Sequence, residues 1–343
     1  KYYSDYKEML TNENMDVVHN CTPNNFHYEV SCEILKTGCH VYSEKPLTIK
    51  SVEGESLIEL ADKKGLKTAV NFNYRNNLMV QEIQQRIQNG RMGMISHIQV
   101  EYLQDWLLYD TDFDWRVQKD KGGESRAVAD IGSHCFDTIQ FIMGEKIVAV
   151  YALFHKQYQR RYMAKQADTF SSQKASGEHK GEAVPVENED AAIILFKLEG
   201  GMVGSINITQ VCAGKKNDLQ ILISGTNEAY EWHQETPANL WVGHRDSGNE
   251  IIYAGKNNLS ENIRSFADLP DGHSVGWKDA FEKGFEIIKE LGIKALVIIG
   301  GDDSNTNACV LAEYYAAKKY GVQVIGCPKT IDGDLKNEMI ETS

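Results

Sequence analysis

The sequence predicts an α/β protein that begins with a doubly wound parallel sheet, continues with a large, mostly antiparallel open sheet, and ends with a strand–helix–strand segment. Strands and helices alternate over residues 16–72, which is typical of a parallel sheet. Short strands follow one another without helices over residues 190–242, as in an antiparallel meander. After residue 295, an apolar strand leads through two glycines into a further helix.

Length, charge and cysteine content bound the functions of this chain. Its 343 residues are enough for two or three domains, since a domain usually holds roughly 100–200 residues. The net charge of −13 argues against nucleic acid or an acidic membrane surface as a partner. Seven cysteines without a C-x-x-C pair predict reduced thiols and a cytoplasmic location. With no long apolar run and no signal-peptide pattern, we expect no membrane partner.

The parallel sheet is predicted from three strands and two helices. The strands are predicted at 16–21, 40–44 and 67–72, and the helices at 23–36 and 51–64. Thr22 is placed to cap the first helix, with Pro23 at its first position. Gly38 and Gly65 end the two helices, and Pro46 stops the second strand.

Polar clusters follow each of these strands. They are Thr22-Pro23-Asn24, Glu44-Lys45-Pro46 and Asn73-Tyr74-Arg75. Any one of them is typical of an ordinary polar loop. Because the carboxyl ends of parallel strands share one edge of the sheet, the three together predict a ligand crevice there.

A helix at 78–88 and a half-buried strand at 95–106 open the second predicted domain. The loop that follows, residues 105–116, alternates aromatic side chains with carboxylates. Such a loop suits a sugar, which offers apolar faces and hydroxyls, but it equally suits an ordinary capping loop. Strands are then predicted at 147–155, 190–198, 202–210, 219–224, 229–233 and 240–242, with a long polar excursion at 156–187.

The stretch from Gly122 to Gly144 predicts a mostly buried helix that carries Asp130 and His134. Residues four apart lie on one helical face, so the carboxylate can orient the imidazole. This is a suitable arrangement for a general base. The alternative is that His134 is a core histidine whose hydrogen-bonding groups are satisfied by its neighbour.

Four motifs in order give the chain a resemblance to the Gfo/Idh/MocA oxidoreductases: CTPNNFH, GCHVYSEKP, NFNYR and ADIGSHCFD. The resemblance covers about residues 1–281. It implies a Rossmann domain at 1–75, and an α/β domain for substrate binding and oligomerisation at 76–280. It further implies NAD or NADP as cofactor and hydride transfer to or from a sugar or polyol. The implied assembly is a homo-oligomer.

The resemblance also implies roles for residues. Lys45, Asp130 and His134 match the catalytic group, in which His134 takes the hydroxyl proton. The positions that match cofactor contacts are Thr22, Pro23, Asn24, His27, Glu44, Lys45 and Arg75. Before Asp16 there is no G-x-G-x-x-G turn, whose backbone would hold the pyrophosphate, so the Rossmann sheet is predicted to be truncated and cofactor binding weakened.

From about residue 281 the chain resembles pyrophosphate-dependent phosphofructokinases. The motifs GGDDSNT and PKTIDGD carry this resemblance. It implies that Asp302 binds Mg²⁺, that Asp303 disfavours ATP, and that Asp332 is the base for the sugar hydroxyl. The other matching positions are Gly301, Ser304, Lys329, Thr330 and Asp334.

Only part of the kinase fold is represented at 281–343. Two parallel strands alone would leave long edges and exposed faces, and we expect no kinase activity. The chain is therefore predicted to be a chimera of two partial enzymes. Three functions stay open: a sugar or polyol oxidoreductase, a phosphotransferase fragment, and a catalytically silent protein.

Overall fold

A computed structural model describes residues 2–163, 181–267, 288–289, 291–300, 302–317 and 319–328, without the side chains of 302–307, 310, 317 and 328. The chain forms two compact units: residues 1–71, 120–123 and 286–343 make up unit 1, and residues 72–119 and 124–285 make up unit 2. The predicted α/β class, with one parallel and one mostly antiparallel sheet, is confirmed.

The strands of the described part of the chain are numbered in chain order. They are β1 (Val17–Asn20), β2 (His40–Ser43), β3 (Thr68–Val70), β4 (Ile95–Leu103), β5 (Ile147–His155), β6 (Arg160–Met163), β7 (Glu182–Pro185), β8 (Ala191–Leu198), β9 (Val203–Thr209), β10 (Asp218–Gly225), β11 (Ala229–His233), β12 (Asn239–Gly243), β13 (Glu250–Tyr253), β14 (Ala295–Gly300) and β15 (Gln323–Pro328).

The α-helices are α1 (Tyr6–Asn12), α2 (His27–Lys36), α3 (Ser51–Lys64), α4 (Leu78–Gln88), α5 (Lys119–Gly122), α6 (Ser133–Met143), α7 (Glu261–Arg264) and α8 (Asp302–Ala317). The predicted helices at 51–64 and 78–88 are confirmed residue for residue. Among the described residues, no helix is both long and apolar enough to cross a membrane.

Unit 1 is built on a five-stranded parallel sheet in the order β15-β14-β1-β2-β3. The strand β1 pairs with β2 on one side and with β14 on the other, and in the second pair Val17 lies opposite Leu296 and Asn20 opposite Ile299. All four residues of β1 are buried. Continuous burial is typical of a central parallel strand.

The pairing of β14 with β1 corrects one expectation. Two isolated strands were expected to leave open edges, but β14 and β15 instead extend the sheet formed by the first part of the chain. The side chains of Val297 and Ile299 join Val18 and Val41 in one hydrophobic core. The predicted kinase-like segment therefore supplies part of the core of unit 1.

The helices of unit 1 end where glycine permits a left-handed backbone. Helix α3 is closed by Gly65, at φ +68°, and Gly38, at φ +92°, follows α2. The predicted cap of α2 was wrong. A short 3₁₀ turn, Asn24–Phe26, precedes α2, and the Thr22 hydroxyl donates to Asn20 Oδ1 at 2.7 Å instead of capping the helix.

Unit 2 holds an eight-stranded sheet in the order β13-β12-β11-β10-β4-β9-β8-β5. All its neighbouring pairs are antiparallel except β4 with β9. Helices α4 and α6 contribute Met79, Ile83, Cys135 and Ile139 to the core on one face of this sheet. The sequence did not predict β13, nor the two-stranded sheet of β6 and β7 within the predicted excursion at 156–187.

We expect Ile299→Ala to lower the free energy of unfolding by about 2–5 kcal/mol, because it removes a buried side chain from the core of unit 1. Hydrogen exchange at the β1 amides should accelerate in the same variant, since β1 and β14 share one ladder. Urea denaturation and exchange mass spectrometry measure the two effects. Leu291→Ala, at a half-exposed side chain, is the control. Unchanged exchange in β1 would contradict the shared sheet.

Candidate functional site

The loop after β1 is organised by Asn20. Its side chain is buried, and its amide donates to the His27 carbonyl oxygen at 3.1 Å and to Ser31 Oγ at 3.0 Å. Its amide oxygen accepts from the backbone N–H of Thr22 at 3.2 Å and from the Thr22 hydroxyl at 2.7 Å. Asn20 was not among the site residues predicted from the sequence. The feature that marks it is an amide side chain at the end of a short strand whose four residues are all buried.

His27 links this loop to the loop after β2. Its Nε2 lies 2.7 Å from the carbonyl oxygen of Thr22, and its Nδ1 lies 2.5 Å from the carbonyl oxygen of Pro46. The ring is buried, and this burial lowers the pKa of His27 although both carbonyl contacts oppose the shift. With both ring nitrogens against backbone, His27 fixes the spacing of the two loops.

Glu44 is positioned by a chain of hydrogen bonds across the ends of β2 and β3. The amide of Asn71 donates to Glu44 Oε1 at 2.7 Å, and the Tyr42 hydroxyl donates to Asn71 Oδ1 at 2.7 Å. In the loop that follows Glu44, the peptide bond between Lys45 and Pro46 is cis. The Thr22-Pro23-Asn24 and Glu44-Lys45-Pro46 clusters thus meet at the carboxyl edge of the parallel sheet.

The third predicted cluster belongs to unit 2. Asn73–Asn76 forms a 3₁₀ helix in which the Tyr74 side chain is buried in the core of that unit. The Arg75 guanidinium forms a two-pronged ion pair with Asp137, in which Nε donates to Oδ2 at 2.6 Å, and it lies 5.4 Å from the Phe141 ring centre. Burial raises the pKa of Asp137, while Arg75 opposes that shift. The prediction that Arg75 contacts the cofactor stays a prediction.

The predicted helix at 122–144 is not one regular helix. A π-helical turn, Val128–Gly132, carries Asp130 and leads directly into α6, whose second residue is His134. Single π turns inside helices are frequent at functional sites. Gly132 allows close packing here, because a Cβ atom at this position would lie 3.1 Å from Ile208 on β9.

Asp130 and His134 have different surroundings within unit 2. The amide of Gln210 donates to Asp130 Oδ2 at 2.7 Å, and Arg116 Nε lies 3.7 Å from Asp130 Oδ1. The His134 ring is buried, and it meets the rings of Tyr74 and Phe72 edge-on at 4.9 and 5.7 Å. Lys45, the third predicted catalytic residue, belongs to unit 1.

Two tyrosines form a closed hydrogen-bond network beside His134. The hydroxyls of Tyr74 and Tyr102 lie 2.7 Å apart, Tyr102 donates to Asn217 Oδ1 at 2.6 Å, and the Asn217 amide donates to Tyr74 at 3.1 Å. Burial raises the pKa of both tyrosines, so both stay neutral. Tyr102, on the buried face of β4, and Gln210, directly after β9, were not among the site residues predicted from the sequence.

The start of the π turn is anchored by two buried acids. Glu189 Oε1 accepts from the backbone N–H groups of Arg126 and Val128 at 3.0 and 2.9 Å, as a helix cap does. Asp190 pairs with Arg126 and also with Arg161, whose Nη2 lies 2.8 Å from Oδ1. All three of these charged side chains are fully buried. Burial alone would raise the pKa of Asp190, but the two arginines bring it below its ordinary value.

The polar-aromatic loop at 105–116 uses its acids locally. Asp114 caps a 3₁₀ turn by accepting from the Arg116 N–H at 2.9 Å, and Asp105 lies 2.6 Å from Lys216 Nζ. Asp112 accepts from the Tyr109 N–H at 2.8 Å. These contacts favour the interpretation as a capping loop.

The predicted kinase-type residues cannot be placed. Gly301, Lys329, Thr330, Asp332 and Asp334 lie outside the described residues, and so do the side chains of Asp302, Asp303 and Ser304. The Mg²⁺ site therefore stays a prediction.

Three family models match parts of the chain. Residues 1–72 match the NAD-binding Rossmann fold of an oxidoreductase family, GFO/IDH/MocA, and residues 80–231 match the C-terminal domain of the same family. Residues 233–340 match phosphofructokinase. Strands β12 and β13 lie inside this last range but extend the sheet of unit 2. Residues 239–253 therefore belong to the same sheet as the residues that match the GFO/IDH/MocA C-terminal domain.

Two curated relatives show the same division. Levoglucosan dehydrogenase from Pseudarthrobacter phenanthrenivorans is 28% identical over 240 residues, which are 70% of this chain and 60% of the relative. The pyrophosphate–fructose 6-phosphate 1-phosphotransferase of Porphyromonas gingivalis is 77% identical over 65 residues, which are 19% of this chain and 12% of the relative. The chain thus spans less than two thirds of either relative.

Solved structures resemble most of the chain. A levoglucosan dehydrogenase in complex with NADH and L-sorbose has a TM-score of 0.75 at 25% identity, over 84% of this chain and 74% of that one. An oxidoreductase domain protein from Kribbella flavida has a TM-score of 0.71 at 28% identity, over 81% of this chain and 72% of that one.

We expect Asp190→Asn to lower the free energy of unfolding by about 3–5 kcal/mol at pH 7, because it leaves two buried arginines without their carboxylate. Since the folded-state pKa of Asp190 is lowered, this stabilisation is present above pH ~4 and is lost as the pH falls through the folded-state pKa. Urea denaturation between pH 3 and pH 7 measures both effects. Asp246→Asn, whose side chain is 95% exposed, should change little. If Asp190→Asn lowered the free energy of unfolding by the same amount at every pH, the lowered pKa of Asp190 would be contradicted.

Proposed function

We propose that the chain is an NAD(H)-dependent oxidoreductase of sugars or polyols. Residues 1–72 and 80–231 match the Rossmann and C-terminal domains of the Gfo/Idh/MocA oxidoreductases, and a phosphofructokinase segment follows them. One observation carries the proposal: the chain that matches both domains also has Asp130 on the π turn and His134 on the helix that follows it. The bound NADH and sugars of the levoglucosan dehydrogenase structures support the cofactor and the substrate class.

The topology of unit 1 supports a nucleotide site. From β1 the chain continues to β2 and β3 on one side, while from β14 it continues to β15 on the other. In open α/β sheets, ligands bind outside the carboxyl ends of the strands where the strand order reverses. Here that point lies between Asn20, at the end of β1, and Gly300, at the end of β14. The polar loop of Thr22 and Asn24 and the carboxylate of Glu44 fit ribose and amide groups at this edge.

The proposed chemistry uses His134 as the base. Oxidation of an alcohol requires removal of the hydroxyl proton, and the neutral imidazole of His134 takes it. Asp130, held by Gln210, stabilises the charge that develops nearby. For Lys45, which belongs to unit 1, the catalytic role that the family resemblance implies stays a prediction. Bound NAD⁺ supplies the hydride acceptor.

The test is titration of the chain with NADH and NADPH by calorimetry, followed by turnover assays on a panel of sugars and polyols that includes levoglucosan and L-sorbose. We expect NADH to bind. In His134→Ala, kcat should fall by about 10²–10⁴-fold while NADH affinity changes little, because the imidazole acts on the hydroxyl proton.

The matched control is His97→Ala, which removes an exposed histidine of β4 and should keep full turnover. A folded chain that binds neither nucleotide would refute the proposal and favour the catalytically silent alternative. Pyrophosphate-dependent phosphorylation of fructose 6-phosphate would favour the phosphotransferase alternative instead.

The edge of the eight-stranded sheet supports self-association. Tyr151 lies opposite Leu195, and Leu153 lies opposite Ile193, so these four side chains share one face of β5 and β8. Each of them is between 54% and 64% exposed. Because β5 is also the end of the sheet order, a contiguous apolar face adjoins a strand edge that pairs with no other strand among the described residues. We assign this face to contact with a second copy of the chain.

Leu153→Lys combined with Leu195→Lys should convert the assembly to monomers, because the substitutions place charge in the apolar contact. Light scattering coupled to size-exclusion chromatography measures the mass. Ile251→Lys, at an exposed side chain on β13 at the opposite end of the sheet, is the control. A monomeric parent chain would contradict the assignment.

A further inference from the structure

Three potential metal ligands of different chemistry meet at the carboxyl edge of the parallel sheet. They are a ring nitrogen of His19, the thiol of Cys21 and a carboxylate oxygen of Glu44, and these atoms lie within 4.8 Å of one another. His19 and Cys21 belong to the end of β1 and the residue that follows it, while Glu44 follows β2. All three residues belong to unit 1, so the fold of one unit brings them together.

His19 is the residue that points to a ligand. Its side chain is 8% exposed, and within the part of the chain that the structure describes, its Nε2 has no hydrogen-bond partner. The nearest carboxylate oxygen, Glu44 Oε1, is 3.8 Å away, which is too far for a hydrogen bond. A buried polar atom without a partner is costly, and a cation between Nε2 and Oε1 would give Nε2 a partner.

The distances suit a tetrahedral site. With bonds of about 2.0–2.1 Å to nitrogen and oxygen and about 2.3 Å to sulfur, neighbouring ligand atoms lie roughly 3.3–3.6 Å apart. The 3.8 Å between His19 and Glu44 is close to such an edge. Cys21 is half-buried directly after β1, and its sulfur lies within 4.8 Å of the other two ligand atoms.

Neighbouring side chains hold two of the ligands in place. The Asn71 amide donates to Glu44, and the Tyr42 hydroxyl in turn donates to Asn71, both at 2.7 Å. The ring of Tyr42 packs against the His19 ring with centres 4.5 Å apart, which fixes the imidazole plane. Outer contacts of this kind are typical of metal sites.

We propose that His19, Cys21 and Glu44 bind a zinc-type divalent cation. Imidazole, thiolate and carboxylate together are the ligand set that zinc prefers over magnesium or calcium. Three protein ligands leave the fourth position open to water or another molecule. This proposal does not rest on the oxidoreductase function, because it concerns the chain with metal alone.

The test is titration of the chelator-treated full chain with zinc chloride by calorimetry, and with cobalt chloride by absorption spectroscopy. We expect one equivalent of Zn²⁺ to bind with a Kd below about 1 μM. Cobalt should produce a thiolate-to-metal charge-transfer band. Cys21→Ser should abolish this band and weaken Zn²⁺ binding at least 100-fold, and Glu44→Gln should weaken it comparably.

The matched control is Cys212→Ser, which alters another half-buried thiol in unit 2 and should leave both signals unchanged. Because His19 is buried and its replacement risks misfolding, the proposal is judged on the Cys21 and Glu44 variants, each checked by circular dichroism. Zinc binding that persists unchanged in a folded Cys21→Ser chain would overturn the proposal. So would the absence of stoichiometric binding by the parent chain.

Discussion

The pairing of β1 with β14 is the constraint on which unit 1 depends. A central parallel strand must have both edges paired and both faces covered, because its backbone N–H and C=O groups are cut off from water. All of β1 is buried, with β2 on one edge and β14 on the other. The kinase-like strand therefore fills a position that the Rossmann-type strands require. The hydrophobic core of unit 1 then includes Val297 and Ile299 beside Val18 and Val41.

That pairing also determines where polar side chains gather. It creates a reversal of strand order between β1 and β14, and the loops after β1 and β2 lie at this edge. Asn20 and His27 hold those loops together through buried contacts with backbone oxygens and N–H groups. The proposed nucleotide site and the proposed zinc site share this edge and Glu44. The two ligands would therefore compete for one carboxylate.

Buried charges in unit 2 position the π turn that leads into α6. Replacing a buried ion pair by apolar residues often costs no stability, so the network of Asp190, Arg126 and Arg161 is better explained as a positioning device than as a source of stability. Glu189 and Asp190, next to β8, fix the entry to the π turn, and Gln210, next to β9, reaches Asp130 from the sheet. The sheet thereby sets the orientation of a helix that carries both predicted catalytic residues.

The sequence by itself determined the elements and the motifs. Glycine stops, the 3.6-residue period of α3 and α4, and the alternation along β8 are local signals, and each one was predicted with nearly the observed bounds. Only the tertiary structure decided which strands pair with one another. Val17 and Leu296 pair although almost the whole chain separates them, and no periodicity encodes such a register. The burial of Tyr74, the π turn at Asp130 and the meeting of His19, Cys21 and Glu44 likewise depend on packing between distant segments, because side-chain surroundings are set by neighbours in space rather than in sequence.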